Sequence, residues 1–163
     1  MNKLPRTYYV NGDVVAVAHD LLGKVLVTNF DGILTAGIIC ETEAYAGTDD
    51  RASHAYKGRR TQRNDVMYAE GGTAYVYLCY GIHHLFNVVT NSADIPHAVL
   101  IRAIHPLEGL DLMRERRGSG ARLSTGGPGT LTQALGIRTA HNGTDLTGDT
   151  IHIEDRSIVV PAK

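Results

Sequence analysis

The dipeptide Asp31-Gly32 stands between two apolar runs, Lys24 to Asn29 and Ile33 to Tyr45. Asp-Gly supplies two residues that tolerate positive φ, which a two-residue hairpin turn needs if its twist is to match that of the strands. The flanking runs are therefore expected to pair as antiparallel strands. Further strands are predicted over Thr73 to Tyr80, Leu85 to Thr90, Ala98 to Ile104 and Ile151 to Glu154, with Gly81-Ile82-His83 as a turn between neighbours. Apolar residues at helical spacing from Val14 to Leu22 end at Gly23, a C-terminal stop. After Pro106 the run Leu107 to Arg116 is helical in pattern, and a short helix is expected at Leu131 to Leu135. Antiparallel strands with a few flanking helices define an α+β class. At 163 residues, 43% of them hydrophobic, the chain is sized for one domain over residues 1–163, burying roughly 68 to 70% of the surface its unfolded state exposes.

The net charge of −1 rules out a globally basic nucleic-acid binder and leaves only local clustering to serve that purpose. Such a cluster exists. Arg51, Lys57, Arg59, Arg60 and Arg63 fall between Arg51 and Asn64 with no acid among them, inside a long irregular stretch, residues 46 to 72. Structureless segments of that length in compact domains are usually functional. Cys40 and Cys79 lie in apolar runs without C-x-x-C spacing, which reads as reduced core thiols of a cytosolic protein. No signal-peptide core is visible at the N-terminus and no apolar run reaches eighteen residues, so a soluble, intracellular protein is expected.

Six of the eight tyrosines, Tyr45, Tyr56, Tyr68, Tyr75, Tyr77 and Tyr80, lie between positions 45 and 80, beside the acids Glu41 and Glu43. Strand alternation puts Glu41, Glu43 and Tyr45 on one face, and Tyr75 and Tyr77 together on another strand. A carboxylate supplies a candidate general base and the rings supply stacking surfaces, a combination suited to holding a planar heterocycle. Either acid could be the base at this stage. The histidines His54, His83, His84, His97 and His105 form no H-x-x-x-H or H-E-x-x-H pattern, so no metal is expected. Lys3, Lys24, Lys57 and Lys163 are the only lysines and none sits in a strongly apolar motif, which argues against Schiff-base chemistry. An RNA-binding or metal-dependent hydrolase module using the aromatic strand as a platform is a competing reading.

Taken together, Glu41-Thr42-Glu43-Ala44-Tyr45, Thr61-x-Arg63-Asn64, Gly72-Thr73-Ala74-Tyr75-Val76-Tyr77 with Tyr80-Gly81, Asn87, Leu100-Ile101-Arg102-Ala103 and Pro106-Leu107-Glu108-Gly109 resemble the alkyladenine (3-methyladenine) DNA glycosylase family, in order from about Leu21 to about Ile137. The resemblance implies a curved, mainly antiparallel sheet with a protruding β-hairpin. It implies base-excision repair: flipping of alkylated or deaminated purines such as 3-methyladenine, hypoxanthine or etheno-adenine, and hydrolysis of the N-glycosidic bond by an activated water without strand cleavage. By motif position, Glu43 resembles the base that activates water, with Arg102 beside it. Tyr45, His54, Tyr77 and Asn87 resemble the base pocket, and Tyr80 resembles the intercalating wedge. Arg59, Arg60, Arg63 and His83 are assigned to the DNA backbone. The implied partner is double-stranded DNA carrying a damaged purine, met by a monomer with no cofactor and no membrane. Three departures accompany this: the chain ends at Lys163, earlier than the family usually does; Thr130 replaces a common lysine; and His83 replaces a second bulky wedge residue. A shortened, weakly catalytic damaged-DNA-binding relative is the corresponding alternative.

Overall fold

The structure, a computed structural model, describes residues 2–118 and 122–159; the C-terminal Lys163 lies outside them. In chain order the elements are β1 (Asn2–Lys3), α1 (Arg6–Tyr9), α2 (Val14–Asp20), β2 (Val25–Phe30), β3 (Ile33–Tyr45), β4 (Ala74–Cys79), β5 (His83–Thr90), β6 (His97–Glu108), α3 (Leu110–Arg117), α4 (Pro128–Leu135) and β7 (Ile151–Asp155). The strands form one open antiparallel sheet ordered β1-β7-β2-β3-β6-β5-β4. This is the α+β class expected.

Local chemistry accounts for the elements. Phe30 pairs with Ile33 across Asp31 (φ 57°) and Gly32 (φ 81°), so the Asp-Gly turn is formed with both residues in the left-handed region. Asp13 caps α2 by accepting a hydrogen bond from the Ala16 amide at 3.0 Å. Val14, Val17, Ala18 and Leu21 then bury along one stripe of that helix and the turn after it.

Each face of the sheet has its own cover. Ile39, Val76, Phe86, Val88, Val99 and Ile101 pack with α2, with Met113 of α3 and with Leu131, Ala134 and Leu135 of α4 in the main core. Truncating a ring such as Phe86, which is fully buried, costs about 3–5 kcal/mol at such a site. On the opposite face Tyr75, Val89 and Ala98 are covered by Ala55, Met67 and Tyr68 from the segment between β3 and β4.

Several expectations are corrected. The strand through Ala98 continues to Glu108, so α3 begins at Leu110 rather than Leu107. Pro106 is tolerated because the register shifts beside it: Gly37 pairs with Pro106 while Ala36 pairs with Glu108, leaving Leu107 over. The hairpin turn is Tyr80-Gly81-Ile82, and β5 starts at His83. Residues 46 to 72 are not structureless, holding three short 3₁₀ turns at Gly47–Asp49, Tyr56–Gly58 and Asp65–Tyr68. The cysteines are not core residues: Cys40 is exposed and Cys79 half-buried. The short β1 and α1 were not foreseen.

Candidate active site

Cross-strand register assembles the site. Tyr75 of β4 faces Asn87 of β5, Asn87 faces Leu100 of β6, and Leu100 faces Glu43 of β3. Directly opposed residues share a face, so four strands present one row of side chains to the segment covering that side. Between β3 and β6 the ladder runs Ile39 to Ile104, Glu41 to Ala103 and Thr42 to Ile101. Cys40 and Arg102 thus each fall out of register, and a bulge of this kind re-aims the side chain it carries. Arg102 Nη1 donates to Glu43 Oε2 at 2.8 Å, both side chains being about 41% exposed. Glu41 is exposed and, among the described residues, forms no such bond, which separates two acids that alternation alone leaves equivalent.

Beside Glu43 a pocket is lined by Tyr45, Ala52, His54, Met67, Tyr75, Tyr77 and Asn87. All four residues expected to grip a base therefore surround one cavity. Its void is about 20 Å³, room for one water. His54 meets Tyr77 edge-on at 4.5 Å between ring centroids, and Tyr75 and Tyr77 lie 5.3 Å apart.

Tyr75 was absent from the expected pocket residues, yet it joins the others. Its hydroxyl hydrogen-bonds His54 Nδ1 at 2.9 Å, and its carbonyl accepts from Asn87 Nδ2 at 3.2 Å. The alternation of Tyr75 with Tyr77 carried the signal for it. The contact with His54, 21 residues away, did not show in any pattern.

Burial, with the Arg63 charge second, holds the His54 pKa below the usual imidazole value, so the ring is neutral near pH 7. Burial likewise raises the phenols of Tyr45, Tyr75 and Tyr77, keeping them as O–H groups; for Tyr45 a hydrogen bond with Glu43 and that carboxylate's charge add to the effect. Neutral rings and protonated phenols bring no net charge to the slot, and their aromatic faces can hold a neutral or a cationic heterocycle.

The segment over the pocket is clamped by Asn64, 3% exposed. Its Nδ2 donates to the carbonyls of His54 (3.0 Å) and Arg59 (2.9 Å), while its Oδ1 accepts from the Thr61 amide (2.7 Å). One lone pair of the His54 carbonyl is thereby occupied.

The four expected backbone contacts separate. Arg60 is held by Asp65 (2.7 Å) and Asp94 (3.0 Å) and lies over the Tyr68 ring, so its charge is largely answered within the protein. Arg63 donates to the Leu78 carbonyl at 2.9 Å, tying the segment to the hairpin, and Arg59 is exposed. His83 rests against Gly129 at the start of α4, where a Cβ would come within 2.6 Å of its Nδ1. The Thr130 hydroxyl is spent on Gly127, accepting from its amide and donating to its carbonyl.

At the hairpin tip Tyr80 is 93% exposed with φ 52°, followed by Gly81 at φ 70°, and the Ile82 amide closes on the Cys79 carbonyl at 3.2 Å. Positive φ is costly for a tyrosine, and the tight turn it permits thrusts the ring into solvent. Among the described residues no three His, Cys, Asp or Glu side chains converge where they could hold a metal ion.

A bulge-aimed arginine on a carboxylate, an aromatic slot beside it and an exposed tyrosine on a strained turn make up the candidate site. The chain belongs to the methylpurine-DNA glycosylase family, whose model matches residues 8–162. It is 52% identical over 158 residues to a Chlamydia felis protein named "Putative 3-methyladenine DNA glycosylase", covering 95% of this chain and 81% of that protein. A Chlamydia pneumoniae protein of the same name is 49% identical over 158 residues, again with 95% and 81% covered. One from Bacillus cereus is 46% identical over 157 residues, covering 92% of this chain and 76% of that protein.

Proposed function

We propose that this DNA glycosylase excises alkylated or deaminated purines, of the 3-methyladenine, hypoxanthine and etheno-adenine class, from duplex DNA, acting as a monomer and leaving an abasic site with the strand intact. The observation that carries the reading is the Glu43 carboxylate, fixed by Arg102 at the edge of a pocket of aromatic rings. Tyr80 fills the gap left in the base stack while the purine turns into the slot. The turned-out purine lies against the rings of Tyr45, His54 and Tyr77 that line the cavity.

Glu43 takes the proton of a water, the water oxygen bonds to the sugar C1′, and the glycosidic electron pair leaves with the purine. The cationic character that develops on the sugar is stabilised by the same carboxylate. Arg102 holds the carboxylate in place and adds a positive charge toward the phosphate.

Duplexes carrying each lesion, incubated with the protein and treated with alkali, test this. Cleavage at the lesion only after alkali is the expected result. Intact strands for all three lesions would refute the reading.

A further inference from the structure

A second groove, of about 1290 Å³, opens on the other side of the wedge hairpin, lined by Ile82, His83, His84, Arg138, Thr139 and His141 among others. It exceeds the range of roughly 300–1,000 Å³ typical of small-molecule sites. Thr139 also lines the shallow depression formed by Arg63, Tyr77 and Gly81, so the groove continues the surface that carries the wedge and the base pocket.

Two of its histidines have fixed roles. His84 Nδ1 accepts the Thr139 amide hydrogen at 3.0 Å, and His141 Nδ1 accepts that of Arg138 at 2.9 Å. With Nδ1 acting as acceptor in both, the ring proton resides on Nε2, the remaining polar atom of each groove-lining ring. His141 is further braced by stacking on Phe30, with centroids 4.5 Å apart and 12° between the planes. The exposed Arg138 adds a guanidinium to that of Arg116, which is bonded to Thr35 and the Ala134 carbonyl, and among the described residues Asp31 is the one carboxylate of the lining. The groove thus offers donors and positive charge, the complement of a group that only accepts.

We propose that this groove binds the sugar–phosphate backbone of the duplex beside the flipped nucleotide, with Arg138 supplying charge and His84 and His141 supplying neutral N–H donors. The proposal rests on the DNA glycosylase reading above. The donors differ in how they respond to salt. Loss of a phosphate-bound guanidinium lowers the slope of log affinity against log salt by about one, whereas loss of a neutral donor weakens binding and leaves the slope alone.

Binding of a fluorescent duplex, undamaged and lesion-containing, is measured across salt concentrations for the wild type, Arg138→Ala, His84→Asn and, as a control on the exposed side of α3, Arg114→Ala. Asparagine keeps an acceptor for the Thr139 amide and removes the outer donor. Arg138→Ala is expected to reduce the slope by about one, and His84→Asn to weaken binding about fivefold at unchanged slope. Both effects are equal for damaged and undamaged DNA, because phosphate contacts do not read bases. Wild-type affinity and slope in Arg138→Ala, or an effect confined to damaged DNA, would overturn the proposal. A wild type that leaves every lesion in place refutes the glycosylase reading instead, so the two failures are distinct.

Discussion

Tyr75 holds the pocket together from behind. It is 1% exposed and its one hydroxyl fixes the His54 ring. Tyr75→Phe keeps the packing and removes that bond, so His54 loses its set tautomer and orientation. Excision is expected to fall about fivefold to tenfold, by the worth of one buried hydrogen bond, and the His54 ring nitrogen resonances to shift. Unaltered resonances together with an unaltered rate would contradict this role. At this scale the sequence was informative about chemistry: Glu43, Tyr45, His54, Tyr77 and Asn87 all have places around one site. It could not separate Glu41 from Glu43 by residue pattern, because the choice is made by a bulge that aims Arg102, and strand alternation, which treats every second residue alike, does not register the shift.

Two elements carry the rest of the site, and they are built differently. The segment from 46 to 72 owes its shape to Asn64 rather than to a ladder. Asn64→Ala leaves two carbonyls and an amide short of partners and is expected to lower stability by about 1–3 kcal/mol, read as a reduced denaturant midpoint. The hairpin β4–β5 is held by its own ladder, by β6 and by the helices beneath it, and its tip is solvated. Tyr80→Ala is expected to change stability by less than about 0.5 kcal/mol while weakening lesion-duplex binding by about 1–3 kcal/mol, the value of one stacked ring. Loss of stability with full binding would reverse that assignment. The Asp31-Gly32 hairpin was legible because its signal is local and stereochemical. The run of β6 through Pro106 was not, since proline normally punctuates a strand and only the neighbouring bulge accommodates it. The 3₁₀ turns after Tyr45 follow from side-chain bonds such as those of Asn64, which leave no periodicity in sequence.

The molecule as a whole is expected to be acid-labile. Burial lowers the pKa of His54, His97 and His141 from 6.5, so below that pH the unfolded chain binds protons that the folded chain refuses. The associated stability is complete above pH 6.5 and is lost as pH falls. Glu154 acts in the same direction at lower pH: burial opposes its ionisation, but hydrogen bonds from His152 and Arg156 prevail and hold it below its usual value. The melting temperature should drop between pH 7.5 and 5.5, and a flat profile would contradict the burial of these rings. The fold class was readable from composition and strand signals, since an open antiparallel sheet needs little beyond alternation and turns. The division of its two faces, helices on one and the base-handling segment on the other, depends on long-range packing that no local pattern encodes.

The central claim is that Glu43 activates the water. Glu43→Gln preserves shape and leaves an oxygen for Arg102, so the variant should bind lesion duplex like the wild type. Its single-turnover excision of hypoxanthine, with protein in excess, should fall by about 10²–10⁴-fold, the contribution of a general base. Excision at the wild-type rate would show that the base lies elsewhere.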